Sequence, residues 1–184
     1  MWEGSAGDTL VSVDDPRPPT LSRETSIRRD GQGRWFHEGE PVDNRSVARA
    51  FDRWIARAPD GRYCLKNEVN WAYVEIEGAP VLVRAIQVVE DEVRLDLSDD
   101  RTERLATETL RQSHDGRLYC DVRGGSLTAE FSSSAAVQLA PWLEEDLDFD
   151  LALDLDLDRS RVSRVALVLG RRRIPILVVD DPIR

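Results

Sequence analysis

The chain has 184 residues, of which 33% are charged, and it carries a formal net charge of −10 at pH 7. Nucleic acid is not expected as its main partner, because binding phosphates requires a net basic surface. No apolar stretch approaches the roughly 18 residues that a membrane span needs. The first residues also lack the basic and apolar regions of a signal peptide. We therefore expect a soluble, cytoplasmic protein with neither a membrane nor a nucleic-acid partner.

Three regions can be distinguished along the chain. Residues 1–25 are polar and rich in proline, so they have too little apolar surface to offset the entropy of ordering. We predict a disordered or extended N-terminal tail there. A first unit is predicted over residues 26–88, and a second unit over residues 89–184.

The first unit is predicted to begin with a turn at residues 30–33 and a strand at residues 34–37. From Asn44 onward, apolar residues recur every three or four positions. This spacing predicts an amphipathic helix that Asn44 caps and Pro59 ends. After a turn at residues 60–61, alternating apolar residues predict a meander of about three strands.

The second unit is predicted to follow the same order of elements. A strand at residues 93–97 precedes a helix that Asp100 caps, with Glu103 in the place of a capping-box glutamate. Further strands are predicted at residues 118–122, 127–131 and 135–139. The predicted fold is α+β, with two repeated units of antiparallel sheet that each carry one helix, followed by C-terminal strands.

An internal echo supports the two units. Asp-Gly-Arg-Tyr-Cys at residues 60–64 returns at residues 115–120 with one residue added. Further matched pairs are Asn44 with Asp99, Ala50 with Leu105, Ile55 with Leu110, Glu75 with Glu130, and Ile76 with Phe131. Two units of one plan meet at a seam, and a crevice at such a seam is a common place for a ligand.

Two charged segments lie near the C-terminus. Aspartate occupies alternate positions in most of residues 146–158, which places the carboxylates on one face of a predicted strand. Successive carboxylates there lie roughly 7 Å apart, too far to share a calcium ion, so we expect a solvated or arginine-paired face. Arg171, Arg172 and Arg173 lie at the turn of a hairpin predicted over residues 161–179. They serve either as cross-strand partners of the aspartates, which we favour, or as a phosphate-binding site.

The chain carries no catalytic signature. Cys64 and Cys120 occupy matching positions and are predicted to be reduced core residues. The sequence contains no Cys-x-x-Cys pair, Walker loop, dinucleotide fingerprint, serine elbow or zinc motif. The two histidines, His37 and His114, are separate from each other, so no metal site, cofactor or catalytic residue is predicted.

The part of the chain between Ile27 and Val83 carries a family pattern. Its residues are Ile27, Arg29, Asp30, Gly31, Trp35, Gly39, Pro41, Val42, the helix over residues 47–55, Gly61, Tyr63, Leu65, and residues 74–77 with Ala79 and Pro80. Together they resemble the bacterial domain-of-unknown-function 1285 family. At residues 67–71 that family tends to have Thr-Pro-Val-Glu and a basic residue, of which Val69 clearly matches here.

This resemblance implies a cytoplasmic bacterial protein with a duplicated α+β core. It also implies a C-terminal part superficially like the pleckstrin-homology type. The crevice between the halves would hold a small ligand in signal transduction, and nucleotides are one candidate class for that ligand.

We predict a non-enzymatic module that binds a small-molecule ligand between its two units. The predicted contacts are aromatic surfaces and polar anchors, namely Trp35, His37, Tyr63, Lys66 and Trp71. The alternative is a protein-interaction module that docks a partner on the acidic strand over residues 146–158 or on the arginine-rich hairpin. A hydrolase or nucleotide-processing enzyme is the third hypothesis.

Overall fold

The computed structural model describes residues 22–145 and 162–183. Strands predominate over helices within these residues, which confirms the predicted α+β class. Most of the predicted tail, residues 1–21, lies outside the described residues, and so does the predicted acidic strand over residues 146–158. None of the described helices is long and apolar enough to cross a membrane.

The first repeat covers residues 27–76. Its elements are β1 (Ile27–Arg29), β2 (Trp35–His37), β3 (Glu40–Pro41), α1 (Arg45–Trp54), β4 (Ile55–Arg57), β5 (Tyr63–Lys66), β6 (Trp71–Tyr73) and β7 (Glu75–Ile76). The strands β1, β2 and β3 form an antiparallel meander, and β7 returns to pair with β1 in parallel. The strands β4, β5 and β6 form a second antiparallel meander. The helix α1 connects the two meanders.

The second repeat covers residues 81–131. Its elements are β8 (Val81–Val89), β9 (Glu92–Leu97), β10 (Thr102–Arg104), a 3₁₀ turn (Thr107–Thr109), β11 (Arg111–Ser113), β12 (Leu118–Val122) and β13 (Leu127–Phe131). The pairing repeats that of the first: β8, β9 and β10 form a meander, β13 pairs with β8 in parallel, and β11, β12 and β13 form the second meander. A single 3₁₀ turn replaces α1. The sheets therefore form repeated units, as predicted.

The registers of the parallel strand pairs agree with part of the echo in the sequence. The matched pair of Asn44 and Asp99 is wrong, because Asn44 caps α1 whereas Asp99 lies in the turn between β9 and β10. In the parallel pair of β1 and β7, Arg29 lies opposite Ile76, and in that of β8 and β13, Val83 lies opposite Phe131. Ile76 and Phe131 thus occupy corresponding places in the two parallel pairs, and so do Arg29 and Val83. This placement is compatible with the matched pair of Ile76 and Phe131.

The two Asp-Gly-Arg turns also have the same geometry. In residues 58–62 and in residues 113–117, the N–H of the first residue donates to the carbonyl of the fifth at 2.9 Å. The glycines at the fourth position, Gly61 and Gly116, have φ of 85° and 86°. The left-handed region is open to glycine without steric cost, so the same residue type closes the hairpin in both repeats.

The C-terminal part extends the second sheet. Its elements are α2 (Ser133–Leu139), a 3₁₀ turn (Ala140–Trp142), β14 (Leu143–Glu145), β15 (Val162–Leu169) and β16 (Arg172–Val179). They complete a nine-stranded sheet in the order β10-β9-β8-β13-β12-β11-β16-β15-β14. The predicted C-terminal hairpin is confirmed, because β15 and β16 pair around Gly170.

One hydrophobic core connects the two repeats. Alternate residues of β9 are buried, as expected for a strand with one face on a core, whereas four of the five residues in each of β12 and β13 are buried. The same cluster of buried side chains includes Trp35, Ile55 and Leu65 of the first repeat. It continues to Leu167 and Ile176 of the C-terminal hairpin. The repeats are therefore not separate globules.

The helix α1 begins as predicted and ends earlier. The Asn44 side-chain oxygen accepts hydrogen bonds from the Ser46 and Val47 N–H groups at 3.0 and 3.3 Å, so the predicted cap is confirmed. The helix does not continue to Pro59, because Ile55 has an extended backbone and starts β4. Pairing with β5 satisfies the backbone of residues 55–57 and buries Ile55.

Two predicted elements of the second unit are wrong. The helix capped by Asp100 does not form, because Asp100 has φ of 65° and lies in the hairpin turn between β9 and β10. Residues 135–139, predicted as a strand, belong to α2. There the Ser132 hydroxyl accepts from the Ala135 N–H, and Ala135 and Leu139, four residues apart, are both buried. The sheets also contain three parallel pairs, whereas only antiparallel sheets were predicted.

Candidate functional site

A basic cleft lies between the two repeats. Its volume is about 650 Å³. The first repeat contributes the junction of α1 with β4 and the turn between β5 and β6, and the second repeat contributes two hairpin turns. The lining residues are Arg53, Trp54, Ile55, Ala56, Lys66, Asn67, Glu68, Val69, Arg101 and Arg123.

Arg123 joins the two repeats at the floor of this cleft. It lies in the turn between β12 and β13 with φ of 52°. Its guanidinium donates from Nη1 to the carbonyl of Ile55 at 2.5 Å and from Nη2 to the carbonyl of Asp52 at 3.2 Å. The carbonyls at the end of a helix have no partner within the helix and carry its partial negative charge. Arg123 therefore caps α1 from the other repeat.

Asp99 holds the arginines of the second repeat in place. Its side chain is fully buried, and Oδ2 accepts from Arg123 Nη2 at 2.5 Å. Arg101 Nε lies 3.5 Å from the same oxygen, and the Arg101 N–H donates to Oδ1 at 3.2 Å. A buried carboxylate must be paired, so Asp99 ties the turn after β9 to the turn after β12. It also neutralises most of the charge of Arg123.

Positive charge dominates the lining of the cleft. Arg53, Lys66, Arg101 and Arg123 stand against a single lining carboxylate, that of Glu68. Arg53 and Lys66 have no ion-pair partner among the described residues. In a chain with a net charge of −10, these unpaired cations make the cleft a local site of the opposite sign. Its chemistry suits an anion.

Apolar side chains supply the rest of the lining. Trp54 is half-buried, with its ring centroid 6.4 Å from that of Phe51. Val69, at the turn between β5 and β6, is 93% exposed. An aromatic surface beside cations is an arrangement that binds a ligand with both a ring and a charge.

Of the predicted ligand-binding residues, Lys66 lines the cleft. Trp71 pairs with Lys66 in the register of β5 and β6, but its ring lies edge-on to Tyr73 at 4.9 Å and under the Arg23 guanidinium at 4.0 Å. The Tyr63 hydroxyl accepts from Arg57 Nη2 at 3.0 Å. Neither Trp71 nor Tyr63 is among the lining residues.

The other two predicted contacts lie farther along the first repeat. Trp35 is 3% exposed, packs edge-on against Phe51 at 5.2 Å, and donates from Nε1 to Asp52 Oδ1 at 3.0 Å. His37 is exposed at the end of β2, opposite Ile27 and Glu40. The structure thus places Trp35 in the core and His37 on the surface, and brings neither of them into the cleft.

The predicted phosphate-binding arginines lie in the β15–β16 hairpin, apart from this cleft. Arg173 donates from Nη1 to Glu144 at 3.2 Å and from Nη2 to the Glu145 carbonyl at 2.7 Å, so it secures β14. Arg171 and Arg172 are exposed. Arg172 also lines a smaller pocket, of about 330 Å³, beside the β8–β9 hairpin.

Burial shifts the pKa of several buried groups that do not line the cleft. Burial raises the pKa of the Asp52 carboxyl, although the Trp35 hydrogen bond and Arg29 oppose this rise. Burial lowers the pKa of Arg29, whose Nε lies 3.5 Å from Asp52 Oδ1. Burial also raises the pKa of the Cys120 thiol to about 12, so this cysteine stays a neutral core residue. Both cysteines are free and buried.

Within residues 22–145 and 162–183, no group of three or more histidine, cysteine, aspartate or glutamate side chains is placed to hold a metal ion.

Four residues that define the cleft beside Lys66 were not predicted from the sequence as site residues, namely Arg53, Asp99, Arg101 and Arg123. One signal could have found Arg123. The echo aligns the turn at residues 67–70 with that at residues 123–126, so if one turn lies at the seam, the other is expected there too.

Comparisons with known proteins give a shared fold. No protein-family model matches the chain, and no curated protein matches it. A DUF1285 family protein from Silicibacter pomeroyi DSS-3 superposes with a TM-score of 0.62 at 16% identity, over 93% of this chain and 92% of that chain. A DUF1285 family protein from Shewanella baltica OS155 superposes with a TM-score of 0.54 at 15% identity, over 65% of this chain and 94% of that one. This likeness of fold supports the resemblance carried by residues 27–83.

Proposed function

We propose that the chain is a bacterial, cytoplasmic member of the DUF1285 family and a non-enzymatic module that binds a small anionic ligand in the basic cleft. The proposal includes a role in signal transduction, which the resemblance of residues 27–83 to that family implies. Binding is supported mainly by one observation: Arg53 and Lys66 of the first repeat and Arg101 of the second line one cleft around a single carboxylate. Arg53 and Lys66 have no ion-pair partner among the described residues, and unpaired cations inside a concave site favour an anionic ligand.

Nucleotides are the ligand class that we favour within this proposal. A phosphate group matches the guanidinium of Arg53 or Arg101, since arginine forks bind phosphate through two parallel hydrogen bonds. The base of the nucleotide matches the half-buried ring of Trp54, since any of the bases can gain binding energy by stacking on an aromatic side chain. A nucleotide should therefore bind more tightly than inorganic phosphate.

A thermal-shift panel tests the proposal. The panel contains ATP, GTP, AMP, GMP, inorganic phosphate and citrate. A ligand present at about 100 times its Kd stabilises the folded chain by about 2.7 kcal/mol. For a chain of this length that is a rise in Tm of roughly 5–10 °C. We expect a nucleotide to give the largest rise.

Lys66→Glu is the test variant, and Arg94→Glu is its matched control. Arg94 is exposed on β9 and does not line the cleft, so it gives the same change in net charge. The nucleotide-induced rise in Tm should disappear with Lys66→Glu and persist with Arg94→Glu. No rise with any anion, or an equal loss in both variants, would contradict the proposal.

The alternative function is protein docking on the acidic segment over residues 146–158 or on the arginine-rich hairpin. The observation in its favour is that Arg171 and Arg172 are exposed and have no ion-pair partner among the described residues. A thermal panel without any response, together with a protein partner whose capture fails with Arg171→Glu and Arg172→Glu, would support docking on the hairpin instead.

A further inference from the structure

One face of α1 carries an arginine stripe, which we define as Arg45, Arg49 and Arg53. All three side chains are exposed. Four residues advance a helix by about 6 Å and turn it by roughly 400°, so the three arginines follow one another along a narrow band. None of them has an ion-pair partner in the part of the chain that the structure describes.

The stripe does not serve the stability of the helix. Arg45 occupies the first helical position, where the positive end of the helix dipole disfavours a cation. Arginines four residues apart also repel one another. The first turn contains no acidic residue that would offset either effect, and the acidic residue of the helix, Asp52, is buried. The stripe thus lowers the stability of the helix without a compensating contact inside it. Residues that lower local stability in this way are expected at functional surfaces.

Contacts beside and opposite the stripe hold α1 in position, because Asp52 lies next to the arginines around the helix and Phe51 lies on the other side. Phe51 packs against Trp35, and Asp52 accepts a hydrogen bond from Trp35 and pairs with Arg29. Arg123 caps the C-terminal end of the helix from the second repeat. The helix is therefore fixed at its side and at one end, so the arginines are presented on a rigid element.

We propose that the arginine stripe docks an extended acidic segment of a partner protein, in which carboxylates alternate with other residues. Side chains on one face of an extended strand recur at about 6.6–6.8 Å, close to the rise of about 6 Å between the arginines. Successive carboxylates can therefore each meet one guanidinium, which is the pairing that arginine forks favour.

The sequence of this chain supplies a suitable probe. Residues 146–158 carry aspartate at positions 146, 148, 150, 154, 156 and 158. A fluorescent peptide with this sequence, titrated with the full chain at low salt and at concentrations where the peptide alone is monomeric, tests the docking. A control peptide of the same composition has its aspartates gathered at one end. We expect the alternating peptide to bind at least fivefold more tightly, because the spacing and not the charge alone is recognised.

Arg45→Glu combined with Arg49→Glu is the test variant. Neither residue lines the cleft, so the nucleotide response of the proposed function should remain and the two proposals can fail separately. Glutamate at position 45, in the first turn of the helix, is favourable, and position 49 is exposed, so the variant should fold. Binding of the alternating peptide should weaken at least tenfold, since two attractive pairs become repulsive. The matched control, Arg94→Glu with Arg104→Glu, makes the same change in net charge at exposed arginines of β9 and β10 outside the stripe, and it should change the binding less than twofold.

Several results would overturn the docking proposal. These are no binding of the alternating peptide, equal binding of the gathered peptide, or an equal loss in the control variant. Tighter binding of a single-stranded DNA oligonucleotide, lost with the Arg45 and Arg49 substitutions, would reassign the stripe to phosphate. Self-association of the full chain in sedimentation, abolished by the same substitutions, would support the proposal and identify a second copy as the source of the segment.

Discussion

The two repeats share their strand pairing and differ in the connection between their meanders. In the first repeat this connection is the ten-residue helix α1, and in the second it is the 3₁₀ turn at Thr107–Thr109. The short connection ends at Leu110, which is buried, as is Ile55 at the end of α1. The repeated strands thus set the scaffold, and the difference in one connection creates the surface features.

The difference matters because a helix has ends and faces that a single turn lacks. The carbonyls at the C-terminal end of α1 accept hydrogen bonds from the Arg123 guanidinium, and these bonds join the second repeat to the first. Its outer face carries the arginine stripe, and its last turn contributes Arg53 and Trp54 to the cleft. The arginine stripe therefore lies where the repeats diverge, and the cleft lies where the divergent helix meets hairpin turns of both repeats.

The buried ion pair of Arg29 and Asp52 carries the largest effect that we predict. Arg29 is buried opposite Ile76, whereas the equivalent residue of the second repeat is Val83. Asp52→Asn should destabilise the chain by about 3–5 kcal/mol, because it leaves a guanidinium buried without its counter-charge. Chemical denaturation, followed by tryptophan fluorescence, measures the loss.

The double variant Arg29→Val with Asp52→Asn is the control for this prediction. It gives the first repeat the valine of the second, and it keeps an amide oxygen that can accept from Trp35. We expect it to recover the stability to within about 2 kcal/mol of the natural chain, because replacing both charges removes the uncompensated one. If the double variant were as unstable as Asp52→Asn, the ion pair would not be the cause.

Arg123 tests the contact between the repeats. Arg123→Ala should destabilise the chain by about 2–4 kcal/mol, since it leaves the buried Asp99 with Arg101 alone and uncaps α1. Arg117→Ala removes an exposed arginine from another turn of the same repeat and should cost less than about 1 kcal/mol. Similar losses in the two variants would show that the contact between the repeats is not stabilised by Arg123.

How far the sequence predicts this molecule depends on whether the determining contacts are local. The cap at Asn44 and the hairpins with glycine at the fourth turn position are set by neighbours in sequence, and they form as predicted. The helix expected after Asp100 fails because Glu103 does not turn back to cap it. Glu103 instead accepts from the N–H of Arg123, twenty residues away. A tertiary contact has overridden a local pattern.

The cleft illustrates the same limit. Lys66 was found from its place beside aromatic strands, and Arg53 was assigned only to the solvent face of a helix. The importance of Arg101 and Arg123 depends on Asp99, which joins two turns that are 24 residues apart. Such a meeting follows from the pairing of β8 with β13, a parallel contact that periodicity along one strand does not encode.

The glycines of the two Asp-Gly-Arg turns give a matched prediction. Gly61→Ala and Gly116→Ala should each destabilise the chain by about 1–2 kcal/mol, because a Cβ disfavours the left-handed backbone. No neighbour would clash with the added methyl group, so the two losses should be equal to within about 0.5 kcal/mol. Gly31→Ala is the control, since Gly31 lacks a positive φ and has open space around it. Unequal losses would show that the two turns are not energetically equivalent.

The smallest expected effect concerns the aspartates of the same two turns. The Tyr73 hydroxyl donates to Asp60 at 2.8 Å and lowers its pKa below the ordinary value, with help from Arg62. The Ser113 hydroxyl similarly lowers the pKa of Asp115 in the second repeat. Tyr73→Phe should therefore raise the pKa of Asp60 and leave that of Asp115 unchanged. Carboxyl NMR titration measures both groups in one sample.

The sign of the accompanying stability effect follows from linkage. A carboxyl whose pKa is lower in the folded state contributes stability that is present above its unfolded pKa, about 3.9, and is lost as the pH falls through the folded value. The natural chain should thus exceed Tyr73→Phe in stability at neutral pH by more than it does at acidic pH. A difference that stays constant with pH would trace the loss to the contact of the Tyr73 hydroxyl with Arg62 and not to the Asp60 carboxylate.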